Sequence, residues 1–174
     1  MMLIDPYRLA PSGGGAGFRY WRLAIDQWSF AGSVGTSGDV RVCELRYYTA
    51  ASIEWPTSAM TSENTPPPFV ASASSDDGIR PAYCAFDKVQ TASRRWISST
   101  AGGPQWLQID MGSNQEFASI DLAPDSAANI GYFITDFRIL ASNSGSFAGE
   151  ETTIFTATGL TSGWVNDASR NFVF

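Results

Sequence analysis

The segment Pro104-Gln105-Trp106-Leu107-Gln108-Ile109-Asp110-Met111-Gly112 constrains the fold more than any other part of the chain. Leu107, Ile109 and Met111 alternate with Gln108 and Asp110, so one face is apolar and the other is wet. A period of two belongs to a half-buried strand, and Gly112 is expected to stop it. The same alternation recurs elsewhere. Residues 19–25 put Trp21, Leu23 and Ile25 on one face, and residues 40–48 do the same with Cys43, Leu45 and Tyr47. Residues 117–122 turn Ala118, Ile120 and Leu122 inward, and residues 136–141 align Phe137 with Ile139. Residues 152–156 and 171–174 complete the set. No stretch carries a helical period beyond a turn or two. A Gly–Ser turn over 33–38 and a polar loop over 62–68, ending in three prolines, punctuate the runs. Many short strands between such breakers predict an all-β fold: an antiparallel β-sandwich of the jelly-roll kind.

With 174 residues, the chain is long enough for one domain with its own core. Residues 1–17 read as an N-terminal arm and a glycine-rich linker, and residues 18–174 as the domain. Asp5-Pro6 and Ala10-Pro11 break helix and strand alike, and the run 12–17 is flexible by composition. An arm on such a linker is expected to join the domain to a larger assembly.

Composition excludes several functions. The net charge of −6, with no basic run, argues against nucleic acid, whose binding needs a positive field along the phosphates. The chain has no histidine. That rules out Ser-His-Asp and Cys-His nucleophiles and the usual zinc sites. The carboxylate pairs Asp76-Asp77 and Glu150-Glu151 are poor catalytic pairs, because adjacent strand residues point to opposite faces. The reading is therefore noncatalytic. No apolar run reaches the about 18 residues of a membrane span, so membrane insertion is not expected. The start of the chain lacks the charged and apolar regions of a signal peptide, so secretion by that route is not expected either. Two cysteines, Cys43 and Cys84, are more often two buried thiols than a disulfide framework.

These residues carry a family likeness. Ala85-Phe86-Asp87, then Trp96, then Gln105-Trp106-Leu107-Gln108-Ile109-Asp110-Met111-Gly112, then the 136–145 segment from Asp136-Phe137 to Gly145 follow one another in order. The chain resembles the discoidin domains, also called coagulation-factor C-type domains, which share the galactose-binding-like jelly roll. That family normally closes with a strand of the Ala-Arg-Tyr-Ile-Arg-Ile type, a turn, and a strand containing a glutamate. Here the pair stands first instead, as Arg19-Tyr20-Trp21-Arg22-Leu23 and Cys43-Glu44-Leu45-Arg46. The order is that of a circular permutation and resembles domains of phage tail proteins. It predicts that the segment near Phe18 lies close to Phe174.

The resemblance implies a structural calcium ion between the Ala-Phe-Asp loop and the glutamate of that displaced strand. The matching positions are Asp87 and Glu44, with Thr91 and Ser93 as further oxygen donors. Lys88 stands where the family has glycine. Cys43 and Cys84 flank the same region. Trp96 and Trp106 are assigned to the fold. Ligand aromatics are expected among the loop residues Trp28, Phe30, Trp55, Phe69, Tyr132, Phe147 and Trp164. The chosen ligand set is Arg80, Arg94, Arg95, Asn129, Tyr132 and Trp164: planar polar groups for sugar hydroxyls beside aromatic platforms. The expected function is that of a noncatalytic carbohydrate-recognition module of a phage virion, tail-associated and binding host glycans. The alternative is a structural virion protein, a capsid decoration or tail component contacting other virion proteins. Either places the chain on a virion assembled in the host cytoplasm.

Overall fold

The computed structural model describes residues 17–91, 93–99, 102–125, 131–165 and 168–174. Most of the arm, residues 1–16, and the candidate ligand residue Asn129 lie outside the described residues. The fold is an antiparallel β-sandwich, as the alternation predicts. Its strands are β1 (Phe18–Phe30), β2 (Ser33–Gly35), β3 (Arg41–Val42), β4 (Glu44–Tyr48), β5 (Glu54–Trp55), β6 (Val70–Ala73), β7 (Trp96–Ile97), β8 (Gln105–Gln115), β9 (Ser119–Ala123), β10 (Ile134–Ser142), β11 (Thr152–Ala157) and β12 (Arg170–Val173). One turn of 3₁₀ helix, Ala82–Ala85, precedes β7.

The larger sheet runs β11-β10-β1-β8-β6, with β2 attached to β1. The second sheet runs β12-β9-β4-β5, and β3 pairs with β7 in a short separate ribbon. Strand β1 is central because Trp21, Leu23 and Ile25 all face inward and are buried. Its register against β10 shifts between Ile25 and Trp28. Such a bulge turns the following side chain across the sheet, and Trp28 is 1% exposed, in the core rather than in a loop.

Facing side chains from the two sheets close the core. Trp21, Tyr47 and Phe117 meet with ring centroids 4.9–5.8 Å apart, and Phe137 meets Phe172 edge-on at 4.9 Å. Burying rings of this size contributes roughly 2–3 kcal/mol each, the dominant favourable term for a sandwich.

Three sequence expectations change. Strand β8 does not stop at Gly112 but continues to Gln115. Gly112 instead adopts φ +75°, its N–H donates to Asp110 Oδ1 at 2.7 Å, and the register against β1 jumps there. The expected strand 40–48 is two strands in two sheets, broken at Cys43, whose N–H donates to the carbonyls of Ala123 and Pro124. The 33–38 turn contains the short strand β2, joined to β1 through Ala31 and Gly32 at positive φ.

The two ends of the domain converge as expected. Phe18 pairs with Gln115, and the Phe174 N–H donates to the Ala118 carbonyl at 2.9 Å. Both hang on the segment 115–118, whose extended reach is about 10 Å.

Candidate functional site: a charged cleft beside the β3–β7 ribbon

The β3–β7 ribbon carries the site. Asp39 precedes β3, Arg41 opens it, and Ser98 follows β7, its Oγ accepting the Val40 N–H at 3.0 Å. The loop 74–80 lies along β7: the Asp77 N–H donates to the Ile97 carbonyl, and the Ile97 N–H to the Arg80 carbonyl. Two motif residues fix this loop from behind. Trp96 Nε1 donates to the Ser75 carbonyl at 2.9 Å, and Gln105 Oε1 accepts the hydroxyls of Ser74 and Ser75 at 2.6 and 2.8 Å. The motif that marks the fold therefore also holds the loop.

Between loop and ribbon opens a cleft of about 480 Å³, lined by Asp39, Arg41, Asp76, Asp77, Arg80, Ile97, Ser98 and Ser99. Asp76 and Asp77 shape its rim. Asp76 Oδ1 accepts the Gly78 N–H, and Asp77 Oδ1 accepts those of Ile79 and Arg80. Each carboxylate thus fixes a turn through one oxygen. Arg80 stands 3.8 Å from Asp77 Oδ2, a contact loose enough for a ligand hydroxyl to compete.

Arg41 is the anchored group of the cleft. Its guanidinium donates to Asp39 and, at 2.8 Å, to Asp125, while its face lies 3.7 Å from the Tyr132 ring centroid. Tyr132 is braced edge-on by Phe30 at 5.2 Å. Burial alone would lower the Arg41 guanidinium, but the bonds from Asp39 and Asp125 outweigh it, so its affinity for the proton rises. Asp125 also accepts from buried Arg95, so one fully buried carboxylate is shared by two cations.

The structure therefore brings together some of the expected residues. Arg80 lines the cleft, Tyr132 supports Arg41 from beneath, and Arg95 sits one layer back on Asp125. Arg94 turns away to Asp87, and Trp164 packs elsewhere, 6.1 Å from Phe172 with Arg170 over its ring. Among the other aromatics, Trp28 and Phe69 are core residues, and Trp55 packs against Phe69. Trp96 is buried as expected, but Trp106 is not. It stands half-buried on the wet face of β8, where the Arg22 guanidinium lies 4.1 Å from its ring and 3.9 Å from Phe147. Asp39, Arg41, Asp76 and Asp77 line the cleft without having been expected to. The signal available for the last two was the turn sequence Asp76-Asp77-Gly78 beside Arg80. Arg41 had none, because its partner Asp125 is 84 residues away.

A second cluster lies at the start of β4 and holds the residues expected to bind calcium. Asp87 Oδ1 accepts the Val89 N–H at 2.8 Å, and Oδ2 accepts Arg94 Nε at 2.7 Å. Burial raises the Asp87 carboxyl, with Arg94 and the Val89 N–H opposing. The Thr91 carbonyl accepts the Arg94 N–H and lies 3.8 Å from the Cys43 sulfur, and the Thr91 and Ser93 hydroxyls bond each other at 3.2 Å. Lys88 donates to Glu54. Glu44 is 1% exposed, its Oε2 has no hydrogen-bond partner, and Arg46 Nε stands 3.8 Å from its Oε1. Burial pushes the Glu44 carboxyl up to about 8; Arg46 and Lys88 oppose this, and the charges of Asp87 and Glu54 add to it.

This donor set does not fit calcium, which takes about 6–8 oxygens. Both Asp87 oxygens and the Thr91 carbonyl are committed to protein donors, and Glu44 Oε2 has no hydrogen-bond partner. Among the described residues, no group of three or more acidic or cysteine side chains has the geometry to hold a metal ion. Cys43 and Cys84 are both buried free thiols.

An antiparallel sandwich with a polar cleft between loops defines a binding module. A model of the F5/8 type C domain matches residues 70–169, more than half of the chain, and the chain belongs to this discoidin family. The match runs from β6 to the residue before β12 and leaves β1 to β5 outside it, although β1 is the central strand. Domains of this family are carbohydrate- or protein-binding modules and are typically noncatalytic. Comparisons with curated proteins and with solved structures returned no significant match.

Proposed function

We propose that the domain is a noncatalytic carbohydrate-recognition module whose sugar sits in the cleft between the 74–80 loop and the β3–β7 ribbon. One observation carries this reading: a cleft of about 480 Å³ offers carboxylate acceptors and guanidinium donors that are already positioned by the fold. Vicinal hydroxyls both donate and accept, so a carboxylate beside an arginine matches them. Three lining carboxylates, Asp39, Asp76 and Asp77, face two lining arginines, Arg41 and Arg80. That balance favours a neutral, hydroxyl-rich sugar and disfavours one bearing carboxylate or sulfate. Among the described residues no aromatic side chain lines the cleft, so recognition is by hydrogen bonds rather than by a stacked ring.

The finer reading is a tail-associated role in host attachment on a phage virion, where many copies would strengthen weak single sites. Its support is the order of segments, which resembles permuted domains of phage tail proteins, and the meeting of both ends of the domain on 115–118. Residues 1–17 would tether the domain to the particle. A glycan array including neutral and acidic sugars tests the reading. Selective retention of neutral glycans is expected; binding to none, or to acidic glycans only, would overturn it.

A structural virion role has its own observation. Val165 and Val173 are 66% and 70% exposed, and β11 and β12 are the edge strands of their sheets. Unpaired edges beside exposed apolar groups suit contacts with other virion proteins. Light scattering after size exclusion tests it: stable self-association together with an empty glycan array would favour this second role.

A further inference from the structure

The cluster at the start of β4 differs from its family in one position with a physical cost. The family pattern Ala-Phe-Asp-Gly reads Ala85-Phe86-Asp87-Lys88 here, and Lys88 has φ +61°. That is the left-handed region, which glycine enters freely and a residue with a Cβ does not. A lysine held there needs a compensating contact, and its ammonium has one, on Glu54. The neighbouring cations follow the same plan. Arg94 holds Asp87, whose side chain is 1% exposed, and Arg46 stands 3.8 Å from Glu44. Three carboxylates, Glu44, Glu54 and Asp87, thus face three cations, Arg46, Lys88 and Arg94. The acidic charge that would call for a divalent ion is already neutralised from within the chain. Both Asp87 oxygens and the Thr91 carbonyl already accept N–H donors, whereas Glu44 Oε2 has no hydrogen-bond partner.

We propose that Lys88 and Arg94 take the place of a calcium ion in this domain: Arg94 closes the 86–94 loop on itself through Asp87, and Lys88 ties it to Glu54 of β5, by built-in positive charge. The loop is then ordered whatever the concentration of divalent metal. Conversely, removing the two cations frees one oxygen each on Glu54 and Asp87, in the electrostatic neighbourhood of Glu44, and these side chains can then turn toward an added cation.

Thermal unfolding in millimolar calcium and in EDTA tests this on the full chain. The wild type is expected to melt at one temperature in both and to give no saturable heat on calcium titration. The double variant Lys88→Gly with Arg94→Gln is expected to melt lower than wild type in EDTA and to recover by about 2–4 °C in calcium. Lys88→Gly alone suits the left-handed backbone and serves if the double variant fails to fold; it is expected to gain the same calcium response at smaller amplitude. A wild-type melting temperature that rises with calcium would overturn the proposal. So would folded variants that stay indifferent to calcium, because the carboxylates would then not be a site from which calcium had been displaced.

Discussion

Arg94 and Arg95 are neighbours in the chain and end in different clusters. Arg95 turns inward to Asp125, where Arg41 arrives from β3, and the shared carboxylate is fully buried. Arg94 turns outward to Asp87 and keeps 45% of its side chain exposed. The inner cluster places two guanidinia on one carboxylate and backs a cleft. The outer one gives each carboxylate its own cation and closes a loop. The same residue types, one peptide bond apart, therefore back a cleft in one place and brace a loop in the other. What separates them is sharing: a shared buried carboxylate fixes two arginines rigidly, and the edge of Arg41 that it leaves faces the cleft.

Removing the shared carboxylate tests this contrast hardest. Asp125→Ala takes the carboxylate from buried Arg95, leaves Arg41 with Asp39 alone, and is expected to cost about 3–5 kcal/mol in denaturant unfolding. A loss below about 1 kcal/mol would reduce the inner cluster to an ordinary surface pair. The next effect belongs to Glu44. Its folded pKa of about 8 lies above the unfolded value of 4.5, so the folded state holds the extra proton between them. Stability contributed by that proton is complete below pH 4.5 and is lost as pH rises through about 8. Glu44→Gln is expected to flatten this fall and to be more stable than wild type above pH 8 by on the order of 2–3 kcal/mol, read from unfolding curves across pH. Parallel wild-type and variant profiles would show that Glu44 is ionised in the fold. Arg94→Ala follows at about 1–2 kcal/mol, because Asp87 is buried but its partner is wet. A loss matching that of Asp125→Ala would erase the difference between the clusters. Arg80→Ala comes last, within about 0.5 kcal/mol of wild-type stability, since Arg80 is half-exposed and loosely paired.

Much of the sandwich was legible because burial on one face writes a period of two into the chain. Leu107, Ile109 and Met111 are each fully buried, and so are Phe137 and Ile139. Parity also fixed Trp106 on the wet face, yet its ring suggested packing; it packs outside, against Arg22. The break at Cys43 was hidden, since both halves of 40–48 alternate alike and only the pairings of β3 with β7 and of β4 with β9 separate them. The cleft was legible in part. Arg80 lines it and Tyr132 packs behind it on Arg41, but Arg41 is itself defined by contacts to Asp125 and Tyr132 that no local pattern records. The ion pair Lys88–Glu54 likewise exists only once loop 86–94 lies on β5.

Titration calorimetry with a neutral glycan selected on the array tests the placement of the site most directly, comparing wild type with Arg80→Ala and with Trp106→Ala. Arg80 lines the cleft, whereas Trp106 lies on the sheet face under Arg22. The expected result is at least a tenfold loss of affinity for Arg80→Ala, about what one charge-assisted hydrogen bond contributes, with Trp106→Ala unchanged. Affinity that survives Arg80→Ala and disappears in Trp106→Ala would move the sugar to the sheet face and contradict the cleft.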